Sequence, residues 1–415
     1  MALRIIGNVY RLQQRGVSLL RPPCCTLKAA SLISFVEQFK EQTKATECLA
    51  RTHESDPGKH TMRHEGLYYT IDKDIFNRLA WDKNTSKHIA SQVQTFQEAC
   101  LMVRKPALEI IHTMKHMNSN HPVIKFVLYG HRGCGKTLTL FHVMHYCMLN
   151  KWCILSTPWP LHWIEWYHEI SNSSHVPGRI DLPVEAKAIL EGFLKLNGNL
   201  LDNFVTQYRY EWTKRETTEI GTPLTDLIHF GLTRVKFADD VVGALLKEIK
   251  YLASQNKLKV LIVLDGINAY FKDTHMNISR KQFKDTAQAK EKEKRGKYLH
   301  ASELSLVSNF KKILHPDMLN SVLVSTVDYN LNSKDDRDIT TPTYLLGKEG
   351  FQFLDPFIPI EVTNYSDKEA YSCLEYFIDR KWIINPKGHT EEGKKQLLFL
   401  SNKHPKNLYK VCAAW

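Results

Sequence analysis

Gly130-His131-Arg132-Gly133-Cys134-Gly135-Lys136-Thr137 spells GxxxxGKT, a pattern built to hold phosphate. Its glycines allow a tight turn whose backbone N–H groups point at phosphate oxygens at the N-terminus of the next helix. Lys136 would reach the β- and γ-phosphates, and the Thr137 hydroxyl would ligate Mg²⁺. The context is right for this chemistry. Val123 to Leu128 is an apolar run suited to a buried strand, and Leu138 to Leu149 can form the helix that follows. A nucleoside triphosphate or its diphosphate is the expected ligand, held by residues 130–137 with Leu138 at the helix start.

A second motif completes the first. Lys259-Val260-Leu261-Ile262-Val263-Leu264-Asp265 is an apolar strand ending in an acid, the Walker B form. It predicts a central parallel strand that delivers the Asp265 carboxylate to Mg²⁺ beside Thr137. The next residue is Gly266, where AAA+ enzymes carry an acid that polarises the attacking water. Binding with slow or absent hydrolysis is therefore expected. Ser321 to Thr326 reads as a further strand with a polar end, and Ser325 is the candidate γ-phosphate sensor. Cys134 inside the loop suggests oxidation-sensitive binding.

The elements that must position these groups can be read in order. Thr52 to Tyr69 is polar and His-rich, which predicts an extended arm lying on a partner, with solvated or RNA-facing histidines. Residues 88–117 carry a helical pattern through Val93, Phe96, Ala99-Cys100 and Val103, and restart after Pro106. Trp152 to Ser156 reads as a strand; Trp159, Trp163, Trp166 and Tyr167 follow at helical spacing as core or docking surface. A helix over 239–254 feeds the Walker B strand. Residues 279–299 carry eight Lys or Arg against three acids, suiting either a solvated loop or phosphate contacts. Phe357 to Val362 is an edge strand by virtue of Pro359. Ser366 and Glu369 form a capping box opening a helix, and two more helices end the chain. The expected fold class is α/β: a parallel sheet with helices on both faces plus a small, mainly helical C-terminal lid.

With 415 residues there is room for one large α/β domain and a smaller one. No run of 18 apolar residues suggests a membrane span. Nine cysteines without a CxxC pair argue for reduced thiols. The first 36 residues hold Arg4, Arg11, Arg15, Arg21 and Lys28 but no acid, the mark of a mitochondrial transit peptide. The net charge of +12 suits an anionic partner such as RNA. The boundaries that follow are a leader over 1–45, an arm over 46–87, and a P-loop domain over 88–365 with insertions at 160–235 and 272–300. The lid would span 366–415.

The order of motifs resembles the AAA+/STAND group of P-loop NTPases. More specifically, the chain resembles the death-associated protein three family, GTP-binding proteins of the mitochondrial ribosomal small subunit. The blocks that carry this are Thr95 to Glu109, the P-loop, Val263 to Ala269, Leu346 to Phe351 and Leu354 to Ile360. The resemblance implies a protein of the mitochondrial matrix, built into the small-subunit head among mitochondrial rRNA and neighbouring ribosomal proteins. It also implies bound GTP or GDP with Mg²⁺ and a connection to apoptosis. No NKxD stands where a Ras-like GTPase reads guanine, so guanine rests on the resemblance alone. An ATP-binding AAA+/STAND remodeller or signalling switch, and an adaptor with a vestigial site, are the alternatives.

Overall fold

The computed structural model describes residues 50–118, 120–277, 298–331 and 339–415; the leader and most of the basic 279–299 stretch lie outside them. Five strands form the central sheet: β1 (Ile124–Tyr129), β2 (Cys153–Ser156), β3 (Val260–Asp265), β4 (Ser321–Thr326) and β5 (Ile358–Glu361). Their order is β5-β1-β4-β3-β2, and every pairing is parallel. The Walker B strand β3 is thus separated from the P-loop strand β1 by β4, whose Thr326 pairs with Leu128 on one side and Asp265 on the other. Parallel strands covered on both faces read as unbroken apolar runs, as β3 does.

Alternate residues of each strand feed two cores. Phe126, Leu128, Leu261, Val263, Val322 and Val324 pack on one side with α1 (Lys105–Lys115) and α2 (Lys136–Leu149). Val127, Ile262, Leu264 and Leu323 pack on the other with α3 (Pro183–Leu201), α4 (Ala238–Ser254) and α5 (Ser305–Ile313). The α/β class is as expected. The 160–235 stretch contributes α3, a helix over Leu224–Thr233 and two short hairpins. Within 272–300, Asp273–Asn277 pairs with Tyr298–His300. Trp163 is fully buried, whereas Trp166 is 52% exposed, and the helix that carries Trp163 covers only Leu161–Ile164. Helix α6 (Pro342–Leu354) contains Gly347 at φ 66° and precedes β5, which takes the sheet edge as Pro359 requires.

Two expectations fail in the N-terminal part. The helical pattern of 88–117 splits: a helix covers Lys83–Phe96, and Cys100–Met102 is a strand paired with Tyr68–Thr70. Gln97 at φ 58° ends the helix. Nor does the arm lie free for a partner. Tyr69 and Ile71 are buried, and His60 is only 4% exposed. His60 Nδ1 lies 3.1 Å from His142 Nε2 on α2, and the Tyr69 hydroxyl lies 3.3 Å from His145 Nδ1. The arm's polarity hid the burial of His60 against a histidine of α2, whereas His53 stays exposed.

The lid consists of α7 (Asp367–Asp379), α8 (Glu391–Ser401) and α9 (Pro405–Cys412). The capping box is present: Ser366 Oγ accepts from Glu369 N–H at 3.2 Å, and the Glu369 carboxylate accepts from Ser366 N–H at 2.9 Å. The lid packs on the arm through stacked Tyr68 and Tyr376, 4.1 Å apart, and through Arg51, which bridges Glu98 and Asp379.

Two measurements test how the arm is held. A Cβ on Gly192 of α3 would lie 2.4 Å from the Trp81 ring, so Gly192→Ala should cost about 1–3 kcal/mol of overpacking in denaturant unfolding. The second is acid sensitivity. Burial lowers His60 and His142 and brings His145 from 6.5 to about 4. The folded state therefore binds fewer protons than the unfolded one between these values, so stability is full above about 6.5 and falls as pH drops toward 4. Denaturant titrations at pH 7 and pH 5 should show that loss, and His145→Gln should shrink it.

Candidate nucleotide site

Strand β1 ends at Tyr129, and the chain must then turn sharply before α2 begins at Lys136. Gly130, Gly133 and Gly135 take φ of 131°, 92° and 105°, which side chains disfavour. Space demands glycine at Gly130 as well: a Cβ there would lie 2.4 Å from the Val362 carbonyl oxygen. The loop turns its backbone toward the N-terminus of α2, where amide donors and the helix dipole favour an anion.

Lys136 Nζ donates to the carbonyls of Gly130 and His131 at 2.8 and 3.0 Å. Burial pulls its ammonium below the ordinary lysine range, against the Cys134, Asp265 and Asp328 groups nearby. Thr137 Oγ1 donates to Asp265 Oδ2 at 2.9 Å, and Thr326 Oγ1 donates to Asp265 Oδ1 at 2.5 Å. Burial lifts the Asp265 carboxyl above its usual range and Asp328 adds to the lift, while the two threonine bonds oppose it. One carboxylate and one hydroxyl at the sheet's C-terminal end are hard oxygen donors of the kind Mg²⁺ takes alongside phosphates. Thr137 and Asp265 are the residues that would hold it.

Thr326, not Ser325, presents its hydroxyl here. Ser325 Oγ donates to the Phe126 carbonyl at 3.1 Å and is fully buried. Strand alternation explains the difference, since adjacent residues face opposite sides. Cys134 also departs from expectation: its thiol is buried beside Asn364, and burial pushes it above the ordinary thiol range. A protonated, covered thiol is a poor target for oxidation. His131 and Arg132 are exposed at the loop tip, and Leu138 is half-buried on α2.

Gly266 stands at φ 99°, so the position after the Walker B acid is backbone-restricted to glycine. The Glu349 carboxylate, another acid in the chain's second half, is engaged by Lys311 and His300.

The residue that sequence reasoning missed is Arg104, 7% exposed. Its Nη1 donates to the Cys134 carbonyl of the P-loop at 2.7 Å, Nη2 to the Thr363 carbonyl at 3.1 Å, and Nε to Glu369 Oε1 at 2.8 Å. Its guanidinium also lies over the Tyr365 ring, 5.0 Å from the centroid. Burial works to lower it, and Glu369 outweighs burial, so Arg104 is held above its ordinary value. The lid makes a second contact through His404. Its Nδ1 accepts from Asn407 N–H at 3.3 Å, so Nε2 carries the proton and donates to the Arg132 carbonyl at 3.0 Å. Lys406 also packs against Gly133, where a Cβ would meet its side chain at 2.7 Å.

Removing the guanidinium would strand Glu369 in the interior. Arg104→Ala should cost about 3–5 kcal/mol, measured by chemical unfolding. Arg104→Lys should recover only part of it, because an ammonium cannot span carboxylate and carbonyls in one plane.

Comparisons with known proteins bear on the family to which the chain belongs. The family profile described as mitochondrial ribosomal death-associated protein 3 matches residues 101–411. The small ribosomal subunit protein mS29 of Bos taurus is 39% identical over 410 residues, covering 99% of this chain and 98% of that protein. The Mus musculus protein of the same name is 38% identical over 367 residues, covering 88% and 90%. Among solved structures, the Aeropyrum pernix ORC2 protein covers 74% of this chain and 66% of its own at 13% identity, with a TM-score of 0.28. A profile that matches from the buried strand before Arg104 to the last lid helix, with full-length relatives beside it, decides the assignment: the chain belongs to the mitochondrial ribosomal death-associated protein 3 family.

Proposed function

We propose that this chain is a component of the small subunit of the mitochondrial ribosome, in the matrix, that holds a guanine nucleotide as a structural ligand. The observation that carries the nucleotide half is the joined set Lys136, Thr137 and Asp265 at the mouth of the glycine loop. GTP or GDP would lie with its phosphates on residues 130–138, and Mg²⁺ would be taken by Thr137 and Asp265. The family supports the ribosomal half, with small-subunit rRNA and neighbouring ribosomal proteins as partners. The basic excess of the chain fits that company, and no helix among the described residues is long and apolar enough to cross a membrane.

A nucleotide held here would stabilise the protein by mass action, in proportion to the logarithm of its concentration over its dissociation constant. Two tests address the two halves. Denaturing the purified protein and identifying the released nucleotide should yield GDP or GTP; adenine nucleotide would instead place the chain with AAA+/STAND switches. Sedimentation before and after RNase should show release from a large particle. Lys136→Ala should lower nucleotide affinity at least about tenfold, roughly 1.4 kcal/mol, read as lost nucleotide in the purified variant.

A further inference from the structure

The place of the missing catalytic acid is filled by something else. A Cβ built on Gly266 would lie 3.3 Å from Trp159 Nε1 and 3.4 Å from Asp328 Cβ. Asp328 follows the end of β4 and therefore projects from the neighbouring strand into the space that a side chain at 266 would use. Its backbone is fixed from both sides: Asp328 N–H donates to Asn268 Oδ1 at 2.8 Å, and Asn268 Nδ2 donates to the Asp328 carbonyl at 2.7 Å. Its field reaches both Asp265 and Lys136. The carboxylate itself is held: Trp159 Nε1 donates to Asp328 Oδ2 at 2.6 Å. The indole is in turn braced by the rings of His162 and Trp166, each with its centroid 5.7 Å away.

We propose that Asp328 is a latent general base for nucleotide hydrolysis, and that Trp159 is the positioning residue that keeps it latent by binding its carboxylate and filling the space where a water would stand. The proposal rests on the reading above that the site holds GTP. In the step that Trp159 suppresses, a water oxygen bonds to the γ-phosphorus as the bond from that phosphorus to the β,γ-bridging oxygen breaks. The water's proton passes to the Asp328 carboxylate, the bridging oxygen keeps its electron pair on GDP, and inorganic phosphate leaves. General-base assistance is typically worth about 10²–10⁴-fold, so releasing the carboxylate has a large effect to reveal.

The test is a double-mutant cycle on the full chain. Trp159→Phe keeps an aromatic ring and removes the N–H donor; Trp159→Leu is the second variant should the first not fold. Single-turnover hydrolysis of γ-labelled GTP is followed at saturating nucleotide, with GTP affinity measured separately. The expected result is at least about a tenfold faster turnover in Trp159→Phe with affinity changed less than about threefold, and a return to the slow rate in Trp159→Phe with Asp328→Asn. Equal slow rates in wild type and both Trp159 variants, with GTP bound, would overturn the proposal, as would fast turnover that persists without the Asp328 carboxylate. A wild-type chain that binds no GTP would remove the underlying reading and this proposal with it, and the affinity measurement shows which has occurred.

Discussion

A single buried cation ties the molecule together. Arg104 lies before α1, yet it holds the P-loop through the Cys134 carbonyl, the exit of β5 through Thr363, and the first lid helix through Glu369. Burying a guanidinium is costly unless every donor finds an acceptor and the charge finds a partner. Here it finds both, and Glu369 is itself the return half of the capping box that starts α7. Lid helix, loop and N-terminal segment are therefore parts of one polar network. Such networks resist division into pairwise contributions, because each member sets the geometry of the next.

The consequence is that the P-loop is shaped from outside as well as by its own glycines. Val362 crowds Gly130, Arg104 holds the Cys134 carbonyl, and His404 holds the Arg132 carbonyl. Two of these contacts fix loop carbonyls from outside, Cys134 through Arg104 and Arg132 through His404. A loop prepared in this way loses little conformational freedom on binding. The lid, which the sequence placed only as a C-terminal appendage, is thus part of the loop's frame.

What could be read from the chain divides by distance along it. Walker motifs are local, so the strand, turn, lysine and carboxylate were legible from spacing alone, and so were the Ser366 capping box and the edge position forced by Pro359. Arg104 and Glu369 lie 265 residues apart, and nothing in an Arg-Lys-Pro triplet says that its first member is buried. Ser325 and Thr326 differ by one residue in a strand, and an apolar run cannot tell which of two adjacent hydroxyls faces the site. The burial of the arm is not legible because histidine is polar on average, whereas His60 packs against His142 of α2 and burial lowers both. The helix that ends at Phe96 carries no glycine or proline to mark its end; Gln97 simply adopts the left-handed conformation there.

This division bears on what a bound nucleotide would accomplish. Lys136 already has two carbonyl partners within the loop, so a phosphate must compete with bonds that exist rather than satisfy an orphan ammonium. The net gain per contact is then modest, as for any exchange of one hydrogen bond for another. What a ligand adds is a charge at the centre of a frame whose other members reach the arm, the edge strand and the lid. Stabilising the loop stabilises the carbonyl positions that Arg104 and His404 read, and through them α7 and α9. If a nucleotide binds as proposed, part of its binding free energy would therefore appear in the lid and the edge strand.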